Sequence, residues 1–185
     1  MNILLFNNGT RHLKSLRILL EKYGSVTVTG DKAALISPTV DLVVLSGGHH
    51  HSIIHNPEIY QPEIEFVKSS TVTILGICLG AEIIAYSFKA TLENLSAKTV
   101  GLKTIQVIKP DPIFTGISDF KVYESHKWAI TKLSADLEGL ARSNDGFEII
   151  RHKTKPIYGL QFHPEMFESK SCGDEIFANL LRHLN

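Results

Sequence analysis

Leu42-Val43-Val44-Leu45 is an apolar run with no alternation, bounded by Asp41 and by Ser46-Gly47-Gly48. A strand of that kind is covered on both faces, which is the habit of a parallel sheet packed between helices. The neighbouring segments repeat the pattern. Asn2–Phe6 is a short apolar run, Ser25–Thr29 is rich in β-branched residues, and Thr71–Leu75 is a further buried run. Helical spacing lies between them: Leu13, Leu16, Ile18, Leu19 and Leu20 after a cap at Thr10, then Ile59, Ile64, Phe66 and Val67 after Pro57. Ile83, Ile84, Tyr86 and Phe88 follow a turn at residues 76–80. Strand–helix alternation of this sort predicts α/β architecture with helices on both faces of the sheet.

The second half reads differently. Leu102–Ile108, Phe120–Glu124, Leu137–Ser143, Phe147–His152 and Ile157–Phe162 are strand-like and closely spaced, with Asn144-Asp145-Gly146 as a hairpin turn. A last helix is expected from about Cys172 to Leu184. The expectation is therefore a three-layer α/β fold, its mostly parallel sheet flanked by helices and extended by antiparallel strands toward the C-terminus. At 185 residues and 43% hydrophobic, residues 1–185 suffice for a single domain with a substantial core. Lys plus Arg equals Asp plus Glu at 19 each, which gives no reason to expect a nucleic acid or an anionic membrane as partner. Asn2–Phe6 lacks a basic leader and ends in a turn, no run is long enough to cross a bilayer, and two cysteines make no disulfide framework. A cytoplasmic protein is expected.

Chemistry concentrates at Ile74-Leu75-Gly76-Ile77-Cys78-Leu79-Gly80-Ala81-Glu82. A free cysteine is ordinarily a small buried hydrophobe. Here, glycines stand two residues before and two after Cys78, where a buried strand meets a helix. That is the form of a nucleophile elbow, in which a tight turn pushes one side chain out at the sheet's carboxyl edge. The helix N-terminus favours thiolate, and the Leu79 N–H is free to help hold an oxyanion. Cys172 has no such setting and reads as structural. A thiol nucleophile needs a base, and the base needs an orienting group. Gln161-Phe162-His163-Pro164-Glu165 offers both: Pro164 stops the strand at His163, and the Glu165 carboxylate lies within reach of the imidazole.

These two segments, with Ser46-Gly47-Gly48 and a loop Ser125-His126-Lys127-Trp128, resemble the class I glutamine amidotransferases, in order and spacing across nearly the whole chain. Within that family the resemblance is greatest to freestanding GMP synthase amidotransferase subunits, partly through Lys155-Pro156-Ile157-Tyr158-Gly159. The resemblance implies that Cys78 attacks the side-chain amide of glutamine and that backbone N–H groups of Gly48 and Leu79 hold the oxyanion. It further implies that His163, oriented by Glu165, moves the protons, and that Gly47, Glu82, Ser125, His126 and Lys127 meet the substrate. The ammonia would pass to a separate synthetase subunit. No cofactor and no metal is implied.

Two positions depart from the family pattern. Glu82 stands where the family usually has glutamine; a carboxylate accepts but cannot donate, and its charge opposes a thiolate one helical turn away. It is expected to bind a substrate ammonium, to weaken glutamine turnover, or to pair with a cation. His49-His50-His51 replaces the usual proline after Ser-Gly-Gly; these residues are expected to shape the loop rather than to bind metal, since no matching ligand set is evident. Two other functions compete: a partner-free hydrolase of other γ-glutamyl amides, and a regulatory subunit that is catalytically silent. A dinucleotide-binding domain is disfavoured, because Asn7-Asn8-Gly9-Thr10 is no phosphate loop.

Overall fold

The computed structural model describes all residues except Ser118, Glu168 and Asn185. In chain order the main elements are β1 (Asn2–Phe6), α1 (Leu13–Glu21), β2 (Ser25–Thr29), β3 (Leu42–Leu45), α2 (Gln61–Ser69), β4 (Thr73–Ile77) and α3 (Leu79–Ser87). There follow β5 (Thr91–Val107), β6 (Asp119–Lys132), β7 (Leu137–Arg142), β8 (Phe147–His152), β9 (Ile157–Leu160) and α4 (Gly173–Leu184). The strands form one sheet in the order β2-β1-β3-β4-β9-β8-β6-β5-β7. The five strands from β2 to β9 pair in parallel. β8, β6, β5 and β7 pair antiparallel, and because β7 also pairs with β8 these four close into a small ring. The expected antiparallel extension is thus present but curls back on itself, which leaves fewer open edges than a flat sheet would.

Successive residues of the parallel strands point to opposite faces, and each face carries its own apolar cluster. Ile3, Leu5 and Val44 pack with Leu16, Leu19 and Leu20 of α1 and with Ile176, Phe177, Leu180 and Leu181 of α4. Leu4, Phe6 and Val43 pack with Ile64 and Val67 of α2 and with Ile83 and Ile84 of α3. Removing an apolar side chain of this size from water is worth about 1.5–3 kcal/mol, so the unalternating runs are explained by burial on both sides. No helix among the described residues is long and apolar enough to cross a membrane.

Several expected boundaries shift. Thr10 does not cap α1: His12 occupies the cap position without a capping hydrogen bond, and Thr10 Oγ1 instead accepts from the His12 N–H at 3.2 Å. β4 runs through Gly76 and Ile77, so the turn before Cys78 is shorter than residues 76–80 suggest. β5 starts at Thr91, well before Leu102, because residues 93–104 lie mostly exposed against β6 and need no apolar alternation. Ser125–Trp128 is not a loop but the middle of β6. Opposite it the register slips between Asn94 and Thr99, so residues 95–98 bulge out of β5.

Candidate active site

β4 and β9 are parallel neighbours with Ile77 opposite Leu160, and the Cys78 N–H donates to the Leu160 carbonyl at 2.7 Å. Both chains therefore reach the same carboxyl edge together. One continues into Cys78, and the other reaches His163 three residues later. Cys78 has φ 51° and ψ −107°, a conformation a side-chain-bearing residue adopts only when its surroundings hold it there. Those surroundings are glycines. A Cβ on Gly76 would lie 2.4 Å from the Gly80 backbone, and one on Gly80 would lie 2.2 Å from the Leu45 carbonyl oxygen. Helix α3 can start directly over the strands only because neither atom exists. Its first turn closes with the Glu82 N–H on the Cys78 carbonyl at 3.0 Å. The Leu79 N–H belongs to that first turn, where the helix itself supplies no acceptor.

His163 is anchored through its backbone, which donates to the Tyr123 carbonyl of β6 at 2.9 Å. Its Nδ1 lies 2.8 Å from Glu165 Oε1, and both side chains are buried. The carboxylate accepts, so the proton sits on Nδ1 and Nε2 is left for the thiol. Gly47 shows how tight the group is: a Cβ there would lie 3.3 Å from His163 Cε1 and 3.6 Å from Cys78 Cβ. Gly48 is wedged between the Asn8 carbonyl and Leu79 Cδ2, each 2.5 Å from where its Cβ would stand. Burial pushes the Cys78 thiol up; His163 opposes this, while Glu82 and Glu165 add to it. Burial works against a charged His163, but Cys78 and Glu165 outweigh it and hold the imidazole well above its ordinary value. The two groups are coupled: a charged His163 favours the Cys78 thiolate, and the thiolate in turn favours the charged imidazole.

Cys78 opens onto two cavities. One, of about 310 Å³, is lined by Gly48, Leu79, Glu82, Ser125, His126 and Lys127 among others, which brings together nearly all the residues expected to meet the substrate. Gly47 is beside it, against Cys78 and His163. Glu82 makes no ion pair among the described residues; its Oε1 accepts from Gln161 Nε2 at 3.2 Å. Burial pushes Glu82 up to about 7, against the pull of Gln161, His126 and His163. Near neutral pH it is therefore divided between acid and carboxylate forms, and the acid form donates as an amide does.

His126 is held from behind. Its Nδ1 meets the Trp128 carbonyl at 2.8 Å and its Nε2 meets Glu124 Oε2 at 3.0 Å. Burial alone would lower His126, yet Glu124 and Glu148 raise it, so the ring favours its charged form. Burial beside Glu124 in turn pushes Glu148 up to about 8. Among the described residues Glu124, His126 and Asp145 form the one group of three or more His, Cys, Asp or Glu whose donor atoms all lie within 4.8 Å of one another. His126 has both ring nitrogens engaged in hydrogen bonds, which accounts for the cluster without an ion. His49 and His50 lie against each other with ring centroids 3.9 Å apart and planes tilted by 39°, and His49 Nδ1 meets the Gly9 carbonyl at 2.6 Å, so these rings pack the loop against the turn after β1.

The second cavity, of about 440 Å³, is lined by residues that sequence reasoning passed over, among them Arg11, His12, Lys98 and Tyr123. His12 packs edge-on against His163 with centroids 5.4 Å apart. One signal was available for Arg11 and His12: they follow β1, and turns after parallel strands gather at the sheet's carboxyl edge. Nothing in the sequence marks Lys98, which the slip in β5 register delivers. Cys172 is half-buried and packs against the cluster under α4, away from the cavities.

A model of the class-I glutamine amidotransferase family matches residues 4–184. The chain is 33% identical over 144 residues to a glutamine-hydrolysing GMP synthase subunit from Methanocaldococcus jannaschii, covering 76% of this chain and 72% of that one. It is 30% identical over 185 residues to the corresponding subunit from Sulfolobus acidocaldarius, covering 97% and 96%. Among solved structures, a candidate GMP synthase subunit from Thermoplasma acidophilum superposes with TM-score 0.85 at 28% identity, over 100% of this chain and 94% of that one. A glutamine amidotransferase from Thermotoga maritima shares the fold, with TM-score 0.77 at 16% identity over 100% and 97%.

Proposed function

The chain belongs to the class I glutamine amidotransferases, and on that premise we propose that it hydrolyses glutamine at Cys78 and delivers the ammonia to a separate synthetase subunit. One observation carries the reading: Cys78 and the Glu165-bound His163 leave adjacent parallel strands at a single edge. Cys78 loses its proton to His163 Nε2 as the sulfur attacks the amide carbon. The carbonyl oxygen becomes an oxyanion facing the Gly48 and Leu79 N–H groups. His163 returns the proton to the departing nitrogen, and ammonia leaves a thioester. Water then gives a proton to His163 and adds to the thioester carbon; the sulfur departs with that proton, and glutamate is released.

The smaller cavity suits the amino-acid end of glutamine, with Glu82 for the ammonium and Lys127 at the rim for the carboxylate. The relatives bear the name of the glutamine-hydrolysing part of GMP synthase, which supports a nucleotide synthetase as the ammonia acceptor. We read residues 1–185 as one three-layer unit, and its two unpaired cysteines fit a reducing cytoplasm.

The test is labelling with 6-diazo-5-oxonorleucine, a glutamine-shaped electrophile, mapped by peptide mass spectrometry. One adduct, on Cys78 and suppressed by excess glutamine, is expected; Cys78→Ala takes none. A thiol that reacts with iodoacetamide but never with the glutamine-shaped probe would count against glutamine as substrate.

A further inference from the structure

Cys78, Gly48, His49, Lys98 and Ser125 line both cavities, and the other residues around the nucleophile are divided between them. Leu79, Glu82, His126 and Lys127 line only the smaller one. His163 lines only the larger, together with Arg11, His12 and Tyr123. The group that protonates the leaving nitrogen therefore faces the 440 Å³ space. Ammonia is about the size of water, whose share of liquid volume is about 30 Å³, so the space exceeds an ammonia molecule by more than tenfold. Its charged lining is cationic. Arg11 and Lys98 line it, both exposed; Lys98 borders the smaller cavity too, whereas Arg11 lines the larger alone, and among the described residues no carboxylate lines the larger. Val100, 53% exposed, adds an apolar wall.

We propose that the chain also hydrolyses γ-glutamyl amides whose amine part carries a carboxylate, that is, γ-glutamyl-amino acids. The glutamyl half occupies the smaller cavity and the amino-acid half the larger, its carboxylate against Arg11 and Lys98. The proposal rests on the reading of Cys78 as the nucleophile of a γ-amide. The Cys78 sulfur bonds to the γ-carbonyl carbon while its proton passes to His163. The C–N bond then breaks as His163 gives that proton to the nitrogen, and a neutral amine leaves through the larger cavity. Water completes the cycle as it does for glutamine, and no further reactant is consumed.

The experiment compares kcat/KM for glutamine, γ-glutamylglycine and γ-glutamyl methylamide, by release of glutamate from the full chain. The methylamide has an N-substituent but no carboxylate. An ion pair at an exposed site is worth up to about 1 kcal/mol, so with Arg11 and Lys98 together γ-glutamylglycine is expected to exceed the methylamide by about fivefold to tenfold. Arg11→Ala reduces that ratio severalfold, and Arg11→Lys restores much of it. Glutamine turnover with γ-glutamylglycine no better than the methylamide, or a ratio indifferent to Arg11→Ala, overturns the proposal and leaves the glutaminase reading intact. If no amide is cleaved while the diazoketone still labels Cys78, the proposal fails, and of the glutaminase reading only the glutamine-binding nucleophile survives. If Cys78 is not labelled either, both readings fail together.

Discussion

At the scale of single residues, Glu82 is the position where this chain differs most in chemistry from what its surroundings lead one to expect. A fully buried carboxyl one helical turn from a nucleophile is costly when charged, and Gln161 is the only hydrogen-bond partner it has among the described residues. Burial moves it up to about 7, into the neutral range. Its ionised form raises the Cys78 thiol, so its influence on the nucleophile grows as pH climbs. Glu82→Gln keeps the shape and removes the charge. Alkylation of Cys78 by iodoacetamide is expected to be nearly equal in the two proteins at pH 6. At pH 8 the variant reacts on the order of threefold to tenfold faster, the size of effect a neighbouring charge has in a partly shielded site. Equal rates at both pH values would mean that the carboxyl does not act on the thiol.

At the scale of elements, the junction of β4 with α3 is held by contacts between backbones, which cannot move aside as a side chain can. Gly80→Ala places a methyl 2.2 Å from the Leu45 carbonyl oxygen. The expected loss is about 2–3 kcal/mol, seen as a lower urea midpoint at unchanged slope. Gly30→Ala, where the nearest atom is 3.5 Å away, should change stability by about 0.5 kcal/mol or less. If the two substitutions cost the same, close packing is not what holds the elbow. The same junction explains why the nucleophile sits where it does: a strand that meets its helix with no intervening loop has no other way to turn than through a strained residue, and Cys78 is that residue.

At the scale of the molecule, Glu82, Glu148, His126 and His163 are among the buried groups that bind protons more tightly in the folded chain than in the unfolded one. Burial raises Glu82 to about 7 and Glu148 to about 8, Glu124 and Glu148 raise His126, and Cys78 and Glu165 raise His163. A group whose folded value is raised contributes stability that is present at low pH and lost as pH rises through the folded value. All four act in one direction, so the melting temperature is expected to fall between about pH 5.5 and pH 8.5, by roughly 5–10 °C for a chain of this size. Thermal melts across that window check this. Glu148→Gln removes part of the slope, because an uncharged amide no longer has a proton to lose. A melting temperature that is level or rising over the same window would show that these groups are neutralised in some other way.

The unalternating runs at Leu42–Leu45 and Ile74–Leu75 were enough to announce a parallel sheet, because only burial on two faces selects such a run. Cys78 between Gly76 and Gly80, and His163 two residues before Glu165, were equally plain, since an elbow and a strand end leave local traces in residue type and spacing. The middle of β6 at Ser125–Trp128 reads as a loop, because the buried positions of its alternation are filled by polar Glu124 and His126. Lys98 left no trace at all, and Arg11 only its position just after β1. Their place at the site follows from a slipped register and from the side-by-side order of β1, β3, β4 and β9, which are pairings between segments far apart in the chain. Local sequence therefore determined which residues have the chemistry to react. Tertiary structure alone decided which of them meet, how deeply Glu82 is buried, and that Cys78 opens on two sides, because burial and cavity shape depend on contacts that no single segment encodes.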